Sequence, residues 1–120
     1  MTTPAARRPN DPLYEERMQA LRDKYAASLP ERLQAVADAL ARCKGAGRSV
    51  QDVEQLHHAL HTISGSAGSF GFKELGDECR RVEKLVRDLM DGQQESSTVV
   101  QEVEQLLQLS YKQYPSRPHD

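Results

Sequence analysis

The chain contains no tryptophan, and its aromatic residues are four tyrosines and two phenylalanines. Its two cysteines, Cys43 and Cys79, stand far apart and outside any C-x-x-C pattern, which argues against a disulfide framework and predicts a reduced pair. No apolar run approaches the ~20 residues that a membrane-spanning helix needs. Arg7 and Arg8 are followed by no apolar stretch, so neither a secretory signal nor a membrane anchor is expected, and a cytoplasmic location is. Excess charge of one sign is also missing: 16 basic residues face 18 acidic ones, a formal net charge of −2. That balance gives no reason to expect nucleic-acid binding. No segment alternates apolar and polar residues with period two, which excludes a predicted sheet. There is no internal repeat. With 38% apolar and 28% charged residues over 120 positions, one soluble helical domain with a single core is the expectation.

The helical period is what the sequence does have. Residues 1–10 mix small, polar and proline residues and read as a disordered lead. Tyr14, Met18, Leu21 and Tyr25 then form one stripe, predicting an N-terminal helix over residues 11–28. Pro30 suits the first turn of a new helix better than the middle of a long one. That second helix carries Leu33, Val36, Ala37, Leu40 and Cys43 and stops in Lys44-Gly45-Ala46-Gly47. Ser49 and Asp52 form a capping signal for a third helix, whose stripe is Val53, Leu56, Leu60, Ile63 and Ala67 and which ends in Gly68-Ser69-Phe70-Gly71. A fourth helix runs through Leu75, Cys79, Val82, Leu85, Val86 and Leu89 to Asp91-Gly92. A fifth, capped by Ser96 or Ser97, carries Val99, Val103, Leu106, Leu107 and Tyr114 and is limited by Pro115. The fold class that follows is all-α: an antiparallel four-helix bundle with an additional N-terminal helix, spanning 11–114, with a flexible tail over 115–120.

The third helix holds an anomaly. At ~100° per residue its apolar stripe centres roughly 120° from His61, which puts this histidine at the edge of the buried face with its ring able to reach water. Glu54, His57, His58, Gly65 and Gly68 fall within roughly 60° of it on the same wheel. A glycine costs about 1 kcal/mol relative to alanine inside a helix, so two on one face call for a reason. Gly65, one turn beyond His61, would leave a notch through which another protein can approach the imidazole. The same glycines also suit close packing by a neighbouring helix of this chain, and composition alone leaves both readings open.

The segment Leu56–Glu83, LHHALHTISGSAGSFGFKELGDECRRVE, resembles the signature of histidine-containing phosphotransfer (HPt) domains. That family carries a phosphorylatable histidine followed by x-Leu-Lys-Gly and a further glycine six residues on. Here His61, Ile63, Gly65 and Gly71 match it, and Leu75, Cys79 and Glu83 also resemble family members. The resemblance covers about a quarter of the chain and implies a helical phosphocarrier in which His61 takes a phosphoryl group from, and gives it to, aspartates of response-regulator receiver domains. A hybrid sensor histidine kinase is a further implied partner. It implies Glu83 beside the imidazole, holding Nδ1–H so that Nε2 is the nucleophile. It implies no cofactor of its own, with Mg²⁺ only in the partner receiver, and a monomer.

One position departs from the pattern. Ser64 stands where the family has a lysine thought to hold phosphoryl oxygens, and a hydroxyl brings a hydrogen bond but no charge. Arg80 or Arg81 would compensate if the fourth helix brings either level with His61. Slower transfer, or a degenerate docking module that binds partners without transfer, is the alternative this departure opens. Ser64, Gly65, Gly68, His57, His58, Arg80 and Arg81 make up the expected phosphoryl and docking surface.

Other chemistries fit less well. His57 and His61 have the i, i+4 spacing of zinc ligands, but HExxH is absent and only Glu54 is near as a third ligand. Gly65–Gly71 lacks the GK[ST] ending and preceding strand of a nucleotide-binding loop. Nothing here would phosphorylate His61 from ATP, so a stoichiometric carrier rather than a kinase is expected.

Overall fold

The computed structural model describes residues 12–45 and 47–114; the lead expected over 1–10 and the tail expected over 115–120 lie outside them. Four α-helices follow in order: α1 (Pro12–Cys43), α2 (Val50–Ser64), α3 (Lys73–Met90) and α4 (Ser96–Gln113), with a 3-10 turn at Ala67–Phe70 between α2 and α3. Each helix packs against the next, and α1 also packs against α4, which closes an antiparallel up-down-up-down bundle. Among the described residues there is no strand, and no helix is long and apolar enough to cross a membrane.

The bundle corrects one expectation. The separate N-terminal helix and its successor are a single helix of 32 residues, with Pro30 in its interior. Proline removes one backbone hydrogen bond and costs roughly 3 kcal/mol in a helix interior. Tyr25, Leu29 and Leu33 bracket it at i, i+4 and i+8, and all three are buried in the common core. Each such burial contributes roughly 1.5–3 kcal/mol, so the stripe on both sides outweighs the local penalty and keeps the helix continuous. At ~1.5 Å per residue α1 is about 48 Å long, against about 27 Å for α3 or α4. None of residues 12–24 is buried; the overhang carries Leu13 and Leu21 exposed.

The expected stripes of the other helices face inward. Val53, Leu56, Leu60 and Ile63 of α2 meet Leu75, Cys79, Val82 and Val86 of α3 and Val99, Val103, Leu106 and Leu107 of α4 in one core. Ser49 and Asp52 form the capping box at the start of α2: Asp52 N–H donates to Ser49 Oγ at 3.1 Å and Ser49 N–H to Asp52 Oδ2 at 2.9 Å. At α4 the cap position is Glu95, one residue before the expected serines, and no side chain caps it. Gly92, with φ +75°, lets the chain leave α3 after Asp91.

The end of α2 differs most from expectation. The helix stops at Ser64 rather than running to Ala67, and Gly65 caps it with its N–H donated to His61 O at 2.9 Å. The 3-10 turn then brings Phe70 and Phe72 onto Tyr25, with ring centroids 4.9 and 5.8 Å apart. Phe72 meets Tyr114 edge to face at 5.5 Å, so four of the aromatic residues close this end of the bundle. Ser66 Oγ donates to Thr62 O at 2.6 Å, which leaves the Tyr25 hydroxyl to donate to Ser66 Oγ at 2.8 Å. Gly76 of α3 packs against this turn: an added Cβ would stand in ordinary van der Waals contact, 3.4 Å from Ala67 Cβ and 3.5 Å from Gly68 N.

Candidate functional site

His61 sits in the last turn of α2, at the end the aromatic cluster closes, and its side chain is 63% exposed. Leu60 and Ile63 flank it in the chain and are fully buried, so the helix is fixed in roll and the imidazole is held on the surface edge. Across the groove, Glu83 projects from the middle of α3 with a side chain only 13% exposed. His61 Nδ1 and Glu83 Oε2 are 2.7 Å apart, a hydrogen bond in which Nδ1–H donates to the carboxylate. Among the described residues His61 Nε2 has no hydrogen-bond partner.

The carboxylate is held at its other oxygen too. Ser64 is 5% exposed, and its hydroxyl lies 2.6 Å from Glu83 Oε1 and 3.2 Å from His61 O. A hydroxyl has one proton, and His61 O already accepts from Gly65 N–H, so the short contact to the carboxylate takes it. Burial pushes the Glu83 carboxyl up, but the hydrogen bonds from Ser64 and His61 overcome it, with a smaller pull from the adjacent imidazoles, and hold it below its ordinary value.

His57, one turn earlier on α2, lies parallel to His61 with ring centroids 6.1 Å apart. Its Nε2 is 3.4 Å from Glu83 Oε2 and 3.4 Å from Arg87 Nη2. Arginine only donates, so the neutral ring accepts from Arg87 at Nε2 and carries its proton on Nδ1. Burial lowers the His57 pKa and favours this neutral form; Glu83 opposes the shift, and Arg87, His61 and His58 add to it. Glu83 Oε2 therefore belongs to His61.

Three cations of α3, Arg80, Lys84 and Arg87, line the notch around His61 together with Ser64, Gly65 and Glu83. Arg80 Nη2 donates to Ser64 O at 3.0 Å, which anchors the guanidinium at the end of α2. Arg81, offered beside Arg80 by the sequence, turns the other way: its guanidinium bonds Glu78 and reaches Glu102 of α4 at 2.8 Å. Lys84 and Arg87 were not singled out from the sequence. Their signal lay in the spacing, because Arg80, Glu83, Lys84 and Arg87 stand at i, i+3, i+4 and i+7 and share one helix face.

The remaining expected residues separate. Gly65 lines the notch, and a Cβ there would press to 3.2 Å of His61 O. Gly68 lies in the 3-10 turn rather than on the α2 wheel, and a Cβ there would meet nothing within 4 Å. His58 is exposed and lines a different groove, between α1 and α2, with Arg32, Arg42 and Thr62. Glu54, the one candidate third ligand beside the histidines, is exposed one turn before His58. Among the described residues no group of three or more His, Cys, Asp or Glu is arranged to hold a metal ion.

Chemically, the arrangement is an exposed imidazole with one nitrogen tied to a fixed carboxylate and the other open, in a notch flanked by cations. Residues 20–112 match the family model described as Hpt domain. No curated protein and no solved structure matches the chain. The match spans well over half of the sequence and takes in His61, Ser64, Arg80 and Glu83 alike. That match, on an all-helical bundle, settles the family: the chain belongs to the Hpt domain family, the phosphotransfer-type modules of two-component signalling that work with response regulators and kinases.

Proposed function

We propose that this protein is a stoichiometric phosphocarrier in which His61 accepts a phosphoryl group from the aspartyl phosphate of one receiver domain and passes it to the aspartate of another. The observation that carries this reading is the exposed His61 ring with Nδ1 donated to Glu83 and a collar of α3 cations around it. With its proton fixed on Nδ1, the imidazole keeps the Nε2 lone pair for attack at phosphorus. The Nε2–P bond forms as the P–O bond to the donor aspartate breaks, and the aspartate leaves as a carboxylate. The ring then carries positive charge, which Glu83 balances 2.7 Å away. In the second transfer an acceptor aspartate oxygen attacks phosphorus and the N–P electron pair returns to Nε2.

Phosphoryl transfer depends on in-line positioning and charge stabilisation more than on covalent help from the protein. Arg80, Lys84 and Arg87, which line the notch around His61, supply the positive charge for the phosphoryl oxygens in this reading. Mg²⁺ belongs to the partner receiver, and this chain brings no cofactor of its own. Gly65 keeps the approach to His61 open to that partner. A response regulator, or the receiver of a hybrid sensor kinase, is the expected partner, met by a cytoplasmic monomer through a modest and transient interface.

The test is acid-labile labelling. The protein is incubated with phosphorylated receiver domains and Mg²⁺, and the label is mapped by mass spectrometry beside His61→Gln. Label at residue 61 that vanishes in the variant supports the carrier. A receiver that binds both proteins equally while neither is labelled overturns it in favour of docking without transfer.

A further inference from the structure

The lysine that HPt-like sequences place three residues after the histidine is replaced here by a serine that is almost fully buried. Ser64 is thus not a truncated surface cation. His61 and Ser64 stand at i and i+3 on α2, so their side chains share a face, and both reach the same partner on α3. The Ser64 hydroxyl takes Glu83 Oε1 at 2.6 Å, and the His61 ring takes Glu83 Oε2 at 2.7 Å. One helix therefore grips both oxygens of one carboxylate, and the buried grip is at Ser64.

A glutamate side chain has three rotatable bonds, and holding it for an exposed imidazole costs rotamer entropy each time the contact forms. The fixed Ser64 donor settles the orientation of the carboxylate before His61 meets it. Arg80 secures the serine in turn, with its guanidinium donating to Ser64 O at 3.0 Å. Neither His57 nor Arg87 substitutes for this contact: His57 Nε2 stands 3.4 Å from Oε2, the His61 oxygen, and Arg87 is turned to His57.

We infer that Ser64 is a positioning residue of the phosphoryl site, whose hydroxyl pins Glu83 so that its second oxygen sets the tautomer and direction of His61. The inference rests on the reading of His61 as phosphoryl acceptor. It makes the serine a different solution to presenting the histidine, in which α2 supplies the clamp and α3 supplies the cations.

The experiment compares wild type with Ser64→Ala, Ser64→Thr and Ser64→Lys, each checked for an unchanged helical circular-dichroism spectrum. Long-range nitrogen-15 spectra of the imidazoles report the His61 tautomer in the unphosphorylated protein, and transfer from a phosphorylated receiver gives a maximal rate and a half-saturating concentration. Ser64→Ala is expected to turn a single Nδ1–H tautomer of His61 into a mixture and to lower the maximal rate by up to about fivefold, because the exposed His61 contact to Glu83 loosens once its buried anchor is gone. The half-saturating concentration stays unchanged, and Ser64→Thr, which keeps the hydroxyl, restores both readouts. Ser64→Lys is expected to be no faster than wild type, because an ammonium there competes with His61 for Glu83. A wild-type tautomer in Ser64→Ala, or faster transfer in Ser64→Lys, would overturn the inference. Wild-type protein that takes no label at residue 61 would instead overturn the carrier reading, and the tautomer spectra would still decide the clamp.

Discussion

Replacing Glu83 with alanine tests the site at its centre. The carboxylate makes two short hydrogen bonds, to Ser64 at 2.6 Å and to His61 at 2.7 Å. Truncation does not strand the serine, whose hydroxyl can turn to His61 O at 3.2 Å, so the global stability cost is small. The loss falls on His61. A hydrogen bond to a charged group contributes about 1.5–3 kcal/mol when protected, and an ion pair with an exposed partner 0.2–1 kcal/mol, so with the His61 ring more than half exposed about 1 kcal/mol is the appropriate figure. That corresponds to roughly a fivefold loss of the Nδ1–H tautomer preference, and the missing counter-charge to the phosphorylated ring adds to it. Rapid-quench transfer from a saturating phosphorylated receiver should therefore slow at least about fivefold in Glu83→Ala. Glu83→Gln keeps an oxygen for Nδ1–H and an amide that can donate to Ser64 Oγ, so it should fall between the two. Wild-type rates in Glu83→Ala would refute the role given to the carboxylate.

Three further outcomes follow from the packing and the charges. His57 has its pKa lowered from 6.5, chiefly by burial, so its neutral form is favoured in the fold; stability is full above about pH 6.5 and declines as pH falls through the lowered value. Thermal midpoints measured from pH 7.5 to 5 should show that decline, with a shallower slope in His57→Gln; equal slopes would count against it. Cys79 is fully buried, and burial pushes its thiol up to about 12, while burial also raises Cys43, so neither should react with a disulfide reagent at pH 8 until denaturant is added. Rapid modification of a native thiol would contradict the packing of α1 or α3. In Gly76→Val the Cβ would already touch Ala67 and Gly68, so the γ methyl groups beyond it should overpack the buried site and cost about 1–3 kcal/mol, read as a lowered denaturation midpoint; an unchanged midpoint would mean that the turn yields to them.

Much of this fold was legible in the sequence because its signals are local. The stripes of α2, α3 and α4 and the Ser49–Asp52 box depend on residues within a few turns of one another. Continuity through Pro30 was not legible, since the local penalty is overridden by burial of Tyr25, Leu29 and Leu33 against distant elements. The end of α2 at Ser64 depends on the 3-10 turn stacking its aromatic residues on Tyr25, again a tertiary cause. Motif resemblance singled out His61 and Glu83 and treated Ser64 as a missing charge. Its actual partner depends on the register of α2 against α3, which no spacing within either helix encodes. The choice between Arg80 and Arg81 depends on the roll of α3. Once Glu83 is set against His61, the helical period carries Arg80, Lys84 and Arg87 to the same side and turns Arg81 towards Glu102.

The central claim is that Glu83 holds one nitrogen of His61 and leaves the other as the nucleophile. The measurement that meets it most directly is the site of attachment in the phosphorylated protein, read from phosphorus-31 and nitrogen-15 spectra of the intact, undenatured chain. The account predicts a single phosphohistidine at residue 61, bonded through Nε2 with the proton retained on Nδ1. A phosphoryl group on Nδ1 of His61, or on His57 or His58, would contradict it.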